Sequence, residues 1–333
     1  MTILVTGGAG YIGSHMVLAL RDRGEDVVVV DRLSTGFRAA VPAGVRLIEA
    51  DIGDRTAMRD VFIETGAREI VHFAASIVVP ESVSDPIGYY ENNTVKAHAL
   101  LAEAVRAGLK SFVFSSTAAV YGAAPDRPVR EDDATRPESP YGASKLMFET
   151  ILRDAAAAHG FAYAALRFFN VAGADPAGRA GQRTANATHL IKVCVEAALG
   201  VRDGVDIFGD DFPTPDGTGV RDYIHVTDLI SAHVAALDHL RKQPAAGLTL
   251  NCGYGQGHSV RAVVEAVRRV SGVPFEARLA GRRAGDPAMV VADPSRLRAT
   301  LGWTPAHDNL DEIVAHALAW ERAQRAASAV RAA

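Results

Sequence analysis

The stretch SPYGASKLMFE sets Tyr141 and Lys145 four residues apart, which puts both side chains on one face of a helix. A free phenol has a pKa of about 10 and is a poor base at pH 7, but neighbouring positive charge favours the phenolate. Of the eight tyrosines only Tyr141 has a lysine at plus four. Upstream, SSTAAVYG follows the apolar run Phe112, Val113, Phe114 and supplies three consecutive hydroxyls, Ser115, Ser116 and Thr117. Hydroxyls in such numbers weaken a strand, so they read as a turn capping the next element or as groups set where a reacting oxygen sits. Taken alone, the tyrosine–lysine pair is more often an ordinary surface pair of no consequence.

A third feature links these two. TGGAGYIG follows the first apolar run and opens the first helical pattern, fitting GxxGxxG through Gly7, Gly10 and Gly13 and GxGxxG through Gly8, Gly10 and Gly13. Glycines there permit a tight turn and let the backbone approach a pyrophosphate, which the helix N-terminus stabilises. An ordinary glycine-rich turn has the same composition. Context favours the phosphate reading: the loop starts near residue 1, and Asp31 ends the second strand where a ribose-binding acid is expected. A carboxylate there selects the free 2′-hydroxyl of NAD over a 2′-phosphate, while the adjacent Arg32 keeps NADP open. With a nicotinamide in the cleft, Tyr141 removes a hydroxyl proton while hydride leaves the same carbon. Lowering the phenol pKa by about 3 units takes roughly 4 kcal/mol, within reach of two cations in a water-poor cleft.

The elements that position these residues are legible. Apolar, β-rich runs at Ile3–Thr6, Val27–Val30, Val45–Glu49, Ile70–Phe73, Phe112–Ser115 and Ala162–Arg167 alternate with helical patterns at Tyr11–Arg23, Arg55–Glu64, Ile87–Ala107 and Tyr141–Ala158. Such alternation predicts an α/β fold, a Rossmann-type doubly wound parallel sheet, and VVVV lacks polar alternation as a doubly covered strand should. After about Asn170 the clusters VAGADPAGRAGQ and GDDFPTPDGTG mark a smaller, loop-rich α/β part. The expected division is residues 1–170 for the cofactor and 171–333 for the substrate, with segments such as 221–242 packing back on the first.

Composition narrows the class. The 333 residues are 48% hydrophobic, enough for a sizeable core, and a net charge of -4 gives no basic surplus for nucleic acid. Cys194 and Cys252 build no disulfide framework, and the eleven histidines show no familiar ligand spacing, so no metal is assigned. No apolar run reaches the roughly 18 residues of a membrane span, and MTILVTGGAG enters a strand with no basic region. A cytoplasmic protein is the expectation.

Over nearly the whole chain the sequence resembles the extended short-chain dehydrogenase/reductase family. The resemblance runs through TGGAGYIGSH, HFAA, YYENN, FSSTAAVYG, SPYGASKLM, LRFFNVAGA, IFGDDFPTPDGTGVRDYIHV and RRAGD followed by LGW. TGGAGYIG and YGASK are shared widely in the family, whereas GTGVRDYIHV with RFFN is specific to its sugar-nucleotide epimerases. The resemblance implies NAD-dependent inversion at C4 of a UDP-hexose, interconverting UDP-glucose and UDP-galactose through a transient 4-keto sugar. It implies cofactor contacts from Gly7, Gly10, Tyr11, Ile12, Gly13, Asp31, Arg32, Leu33, Ser34, Thr35, Gly36, Asp51 and Ile52. Phe73, Ala74, Ala75, Ser76, Asn92, Ser115, Tyr141, Lys145, Phe168 and Phe169 join that set. Thr117, Tyr141 and Lys145 correspond to the catalytic hydroxyl, base and lysine. Asn170, Phe208, Arg221 and Arg283 look like the group that holds UDP, with His189, Leu190, Tyr223, Asp286 and Val290 beside it. Two arginines suit a diphosphate because their forks bind oxyanions well. The resemblance also implies a homodimer through Ile87–Ala107 and Tyr141–Ala158.

Departures from the family pattern sharpen the reading. Ile77 stands where many relatives carry lysine, and His189 of ATHL replaces an amide. Val290 occupies a position where strict glucose/galactose enzymes carry tyrosine, which leaves space for an N-acetyl group on UDP-GlcNAc and UDP-GalNAc. Ala118 and Ala119 replace the Asp-Glu of nucleotide-sugar dehydratases, and alanine transfers no protons. A 4-epimerase of another nucleotide sugar (a UDP-uronic acid or UDP-pentose) remains an alternative, as does an inactive NAD-binding regulator. Intact Thr117, Tyr141 and Lys145 weigh against the last.

Overall fold

The strands form where the apolar, β-branched runs lie, in the computed structural model that describes residues 2–123, 126–184, 187–283 and 286–332, with side chains through residue 327. In chain order the first six are Ile3–Thr6 (β1), Val27–Asp31 (β2), Arg46–Glu49 (β3), Glu69–His72 (β4), Ser111–Thr117 (β5) and Ala162–Phe168 (β6). Asn170–Ala172 (β7), Val205–Phe208 (β8), Val220–His225 (β9) and Gly247–Cys252 (β10) follow, then Gly257–Ser259 (β11), Ala277–Ala280 (β12) and Met289–Val290 (β13). The helices are Tyr11–Asp22 (α1), Arg55–Thr65 (α2), Val79–Ser84 (α3), Pro86–Tyr90 (α4), Lys96–Arg106 (α5) and Pro140–His159 (α6). Leu190–Ala198 (α7), Val226–Lys242 (α8), Val260–Ser271 (α9), Ser295–Leu301 (α10) and Leu310–Ala332 (α11) complete the set.

Seven strands make one parallel sheet in the order β10-β6-β5-β4-β1-β2-β3. The first six follow the doubly wound order with its reversal between β1 and β4, where such sheets bind ligands beyond their carboxyl ends. Strands β1, β2, β4 and β5 are buried along their whole length because helices cover both faces. One face packs Leu4, Ile70, Phe112, Phe114, Phe148 and Leu152. Phe114 and Phe148 meet edge to face, 4.8 Å between centroids, a geometry worth about 0.5–1.5 kcal/mol beyond its buried area. The other face packs Ile3, Val5 and Val29 against α1 and α8 and runs on into the core of the second half.

The second half returns to this sheet twice. Helix α8 lies on α1, β5 and β6, and ion pairs fasten it: Arg23 to Asp238 at 2.9 Å, and Arg241 to Glu25 and Glu69 at 2.7 Å each. Strand β10 then pairs with β6, from Gly247 beside Tyr163 to Cys252 beside Phe168. Sequence periodicity had pointed to α8 but not to β10. The smaller part holds a sheet of β11, β9 and β13 with β7 beside β9, and a separate β8–β12 pair. Both cysteines are free and buried.

The expected single helix over Ile87–Ala107 is interrupted: Glu91–Val95 forms a π turn between α4 and α5. The extra residue turns Asn93 inward, where it donates to the Ser76 carbonyl at 3.0 Å and Ser144 Oγ at 3.1 Å and accepts from Ser76 N at 2.8 Å. Such bulges concentrate at functional sites. Among the described residues, no helix is long and apolar enough to cross a membrane.

Candidate active site

Three loops meet at the reversal between β1 and β4. Gly7 takes a left-handed backbone, φ +71°, and a Cβ there would lie 2.6 Å from Ala74 N of the segment leaving β4. A Cβ on Gly13 would lie 2.2 Å from the Gly7 carbonyl oxygen. Only glycine lets the loop fold this tightly over the start of α1. That helix begins at Gly10 with no side-chain cap and no acid in its first turn, so its amides are left for an anion. Asp31, nearly buried at the end of β2, accepts Ala9 N at 3.0 Å on one oxygen and Leu33 N at 2.8 Å on the other. Each oxygen keeps a lone pair for a ribose hydroxyl, and Leu33 is held at φ +57°.

Other predicted cofactor residues cluster around the same cleft. Asp51 accepts from Lys96 at 2.5 Å and from Gly53 N at 2.8 Å, with Arg32 at 3.4 Å. These partners hold its carboxyl below the usual carboxylate range even though burial pushes the other way. Ser76 Oγ accepts from Asn92 at 3.0 Å. Tyr11 donates to the Gly173 carbonyl at 2.7 Å, tying the glycine loop to the second half. Phe73 and Phe168 both pack on His233, with centroids 5.1 and 6.3 Å away. His233 spends Nδ1 on the Leu229 carbonyl, while its buried Nε2 has no partner. Ser115 Oγ is likewise buried and unpartnered. A glycine cradle, an uncapped helix start, a carboxylate with free lone pairs and orphaned polar atoms together fit a dinucleotide such as NAD.

The tyrosine–lysine pair sits one strand away. Helix α6 starts with Ser139 as cap, its Oγ accepting from Gly142 N at 3.2 Å, and Pro140 at the first position. Tyr141 therefore occupies the first turn, where the helix dipole favours an anion. A Cβ on Gly142 would lie 2.4 Å from the Ala119 carbonyl oxygen, so α6 presses directly on the 3₁₀ turn Ala118–Val120 that follows β5. This contact sets Tyr141 beside Thr117. Thr117 Oγ1 accepts from Ala119 N at 3.1 Å, which leaves its own proton for the phenol oxygen. Burial raises the Tyr141 pKa and the Thr117 hydrogen bond opposes it. Lys145 Nζ donates to the Ser115 carbonyl at 2.9 Å and lies 4.9 Å from the Phe114 ring centroid. Burial pulls the Lys145 ammonium down to about 7, and the nearby Glu149 carboxylate pushes it up. The lysine thus spends a hydrogen bond on the β5 backbone, a partner that the sequence does not reveal.

The strand alternation separates the three hydroxyls. Ser116, fully buried, points away from Ser115 and Thr117 and donates to Glu149 Oε1 at 2.5 Å. Arg167 of β6 clasps the same carboxylate at 3.0 and 2.6 Å. Glu149 and Arg167 lie within the SPYGASKLMFE and RFFN stretches, but no role for either is legible there.

The predicted substrate residues lie on the second half. Asn170 pairs with Tyr223 across β7 and β9, and both line a pocket with His189, Leu190, Lys192 and Trp320. His189 Nδ1 accepts from the Gln182 amide at 3.0 Å, and burial lowers its pKa, so the ring is neutral at pH 7. Arg221, beside Val290 in the β9–β13 pairing, donates to Asp286 at 2.7 Å. The Arg283 guanidinium lies 3.6 Å over the Phe208 ring, so one face of that ring is covered. Val290 packs against the cluster of Ala118, Tyr121 and Phe169.

Donor atoms of His307, Glu312 and His316 lie within 4.8 Å of one another. Their hydrogen bonds give them structural work. His225 Nδ1 accepts from Thr227 N at 3.1 Å as the cap of α8, so its Nε2 proton goes to His316 Nδ1 at 3.0 Å. His307 Nδ1 meets Glu312 Oε1 at 2.7 Å at the start of α11.

Comparisons place this geometry among known proteins. Residues 3–253 match the model of the NAD dependent epimerase/dehydratase family. A UDP-glucose 4-epimerase of Azospirillum brasilense is 57% identical over 320 residues, 96% of this chain and 92% of that protein. A crystal structure of a UDP-glucose 4-epimerase superposes with a TM-score of 0.95 at 42% identity, covering 98% of both chains. The UDP-glucose-4-epimerase of Stenotrophomonas maltophila, solved with bound NAD and formylated UDP-arabinopyranose, gives 0.94 at 40%, covering 98% of this chain and 99% of that one.

Proposed function

The chain belongs to the NAD dependent epimerase/dehydratase family, and we propose that it inverts C4 of a UDP-hexose, interconverting UDP-glucose and UDP-galactose. The observation that carries this is the meeting of Thr117, at the end of β5, with Tyr141 and Lys145 on the first turns of α6, and alanines at 118 and 119. A dehydratase needs an acid and a base at those two positions; alanine leaves proton removal by one phenol, which suits a reaction that is reversible at one carbon. NAD, when bound, supplies the hydride acceptor and donor.

The chain's own residues then have separable tasks. Gly7, Gly10 and Gly13 admit the pyrophosphate to the α1 amides, and Asp31 takes the ribose. Thr117 holds the sugar 4-oxygen and passes its proton to Tyr141; burial disfavours the phenolate, and the Thr117 hydroxyl and the helix start oppose that. Tyr141 gives the proton back after the 4-keto sugar has turned its other face. Arg221 and Arg283 grip the diphosphate, and Phe208 and Asn170 hold the rest of the nucleotide, so the anchor is tight while the hexose swings. Residues 1–170 form the cofactor part and 171–333 the sugar-nucleotide part in this reading. The small Val290 leaves space at C2, so UDP-GlcNAc and UDP-GalNAc are substrates too.

A second copy completes the reading: α4–α5 and α6 carry the exposed Ile87, Val95 and Met147 and form the homodimer surface, which light scattering after size exclusion tests. Incubation with UDP-galactose and identification of the product sugar tests the activity. Formation of UDP-glucose supports it, and bound NAD with no epimerised product refutes it.

A further inference from the structure

Directly behind the reacting hydroxyls, a buried polar network joins every element that carries the catalytic groups. Ser116 of β5 and Arg167 of β6 share the Glu149 carboxylate of α6. Arg167 also donates to Tyr121 Oη at 3.0 Å, and Tyr121 donates to Asn251 Oδ1 of β10 at 2.7 Å. Ser116, Glu149, Arg167, Tyr121 and Asn251 are all buried. Glu149 lies one helical turn beyond Lys145 and two beyond Tyr141, on the same face of α6.

We propose that Glu149 is a positioning residue for the Tyr141–Lys145 pair: its carboxylate clamps α6 to β5 and β6 and sets a negative charge on the face of α6 that carries Lys145. The proposal rests on the epimerase reading above. The clamp is two-sided, a forked arginine and a serine hydroxyl on one carboxylate, so α6 neither slides along β5 nor lifts from β6 without breaking a charge-assisted bond. Two of its members are the sequence neighbours of catalytic or cofactor residues: Ser116 between Ser115 and Thr117, and Arg167 before Phe168. The groups that face Lys145 are few. Strand β4 offers His72, held neutral by burial, β5 offers the Ser115 carbonyl and the Phe114 ring, and α6 offers Tyr141 and Glu149. The Arg167 charge on β6 is paired with Glu149, so each offsets part of the other's field at Lys145. Among these, Glu149 is the group whose charge favours the ammonium.

Glu149→Gln keeps the shape and the serine contact but removes the charge; Glu149→Asp keeps the charge and withdraws it by one methylene. The measurements are kcat and KM for UDP-galactose from pH 6 to 10, NAD content and thermal midpoint, on the holoenzyme. For Glu149→Gln we expect kcat to fall about 10- to 100-fold. Its alkaline limb should move to lower pH, with KM and NAD content close to wild type. Glu149→Asp should keep the wild-type limb with a smaller loss of kcat. A lowered thermal midpoint with an unmoved pH profile and unchanged kcat in Glu149→Gln would overturn the proposal. If Glu149→Gln does not fold, Glu149→Asp decides: reduced kcat on a wild-type limb supports the clamp, and wild-type kcat overturns it. Failure of the underlying reading looks different, because then wild type itself does not epimerise UDP-galactose or Tyr141→Phe is as active as wild type.

Discussion

Replacing Tyr141 with phenylalanine deletes a single oxygen at the centre of the proposed chemistry. The side chain is 7% exposed, so the ring stays packed where it is and only the hydroxyl contact with Thr117 disappears. Losing one hydrogen bond of this kind costs about 1 kcal/mol of stability. In a chain of this length that moves the thermal midpoint by only about 2 °C. The kinetic effect is of another order. A positioned general base contributes about 10²- to 10⁴-fold, so the middle of that range is roughly 4 kcal/mol of barrier. Thr117 keeps its Ala119 contact and Lys145 its Ser115 contact, and neither replaces the missing base. The assay is conversion of UDP-galactose followed by chromatographic separation of the two UDP-hexoses, with NAD content and thermal midpoint on the same preparation. The expected result is about a thousandfold lower kcat with wild-type cofactor content and nearly wild-type stability. Turnover within tenfold of wild type would show that another group takes the proton and that the placement of Tyr141 beside Thr117 is structural.

Further outcomes test separate parts of the site. Gly13→Ala places a Cβ 2.2 Å from the Gly7 carbonyl, so the glycine loop must open and NAD content in the purified protein should fall sharply. Wild type should turn over UDP-GlcNAc, and Val290→Tyr should lose that activity at least tenfold while keeping UDP-galactose; equal loss of both removes Val290 from selectivity. Arg283→Ala uncovers Phe208 and removes a diphosphate contact, so KM for the UDP-sugar should rise with kcat much less affected. Acid should destabilise the fold through its buried neutral histidines. Burial depresses His72 and His225 to about 3 and His233 to about 4. Their contribution is present above the unfolded pKa of about 6.5 and is lost as pH falls toward those values, of order 2 kcal/mol per group by pH 5. The urea midpoint should therefore drop steadily between pH 7 and 5, and a flat midpoint would refute the burial argument.

How much of this was legible in the sequence differed by length scale. Parallel strands such as VVVV, the glycine loop and the Tyr141–Lys145 spacing are local patterns, and each forms the element its pattern predicts. The π turn at Glu91–Val95 was not legible, because its cause is Asn93 reaching Ser76 and Ser144 from elsewhere in the chain. Strand β10 was missed because GLTLNC is short and its partner, β6, lies far upstream. The ion pair of Glu149 with Arg167 exists only once α6 lies on β6, so no spacing announces it. The direct effect of the Lys145 charge on Tyr141, reasonable from their spacing, gives way in the fold to the Ser115 carbonyl, which claims the ammonium.

The position of β10 also bears on how the protein is made. While the chain leaves the ribosome, β6 is complete at Phe168, yet the strand that covers its edge begins at Gly247. At about 5–20 residues per second, the intervening segment of about 80 residues takes roughly 4–16 s to emerge. Throughout that interval Ala162–Phe168 presents an apolar backbone edge able to pair with a neighbouring nascent chain. A gene truncated between residues 170 and 246 would make that exposure permanent, so its product should be found in inclusion bodies rather than as a free nucleotide-binding half.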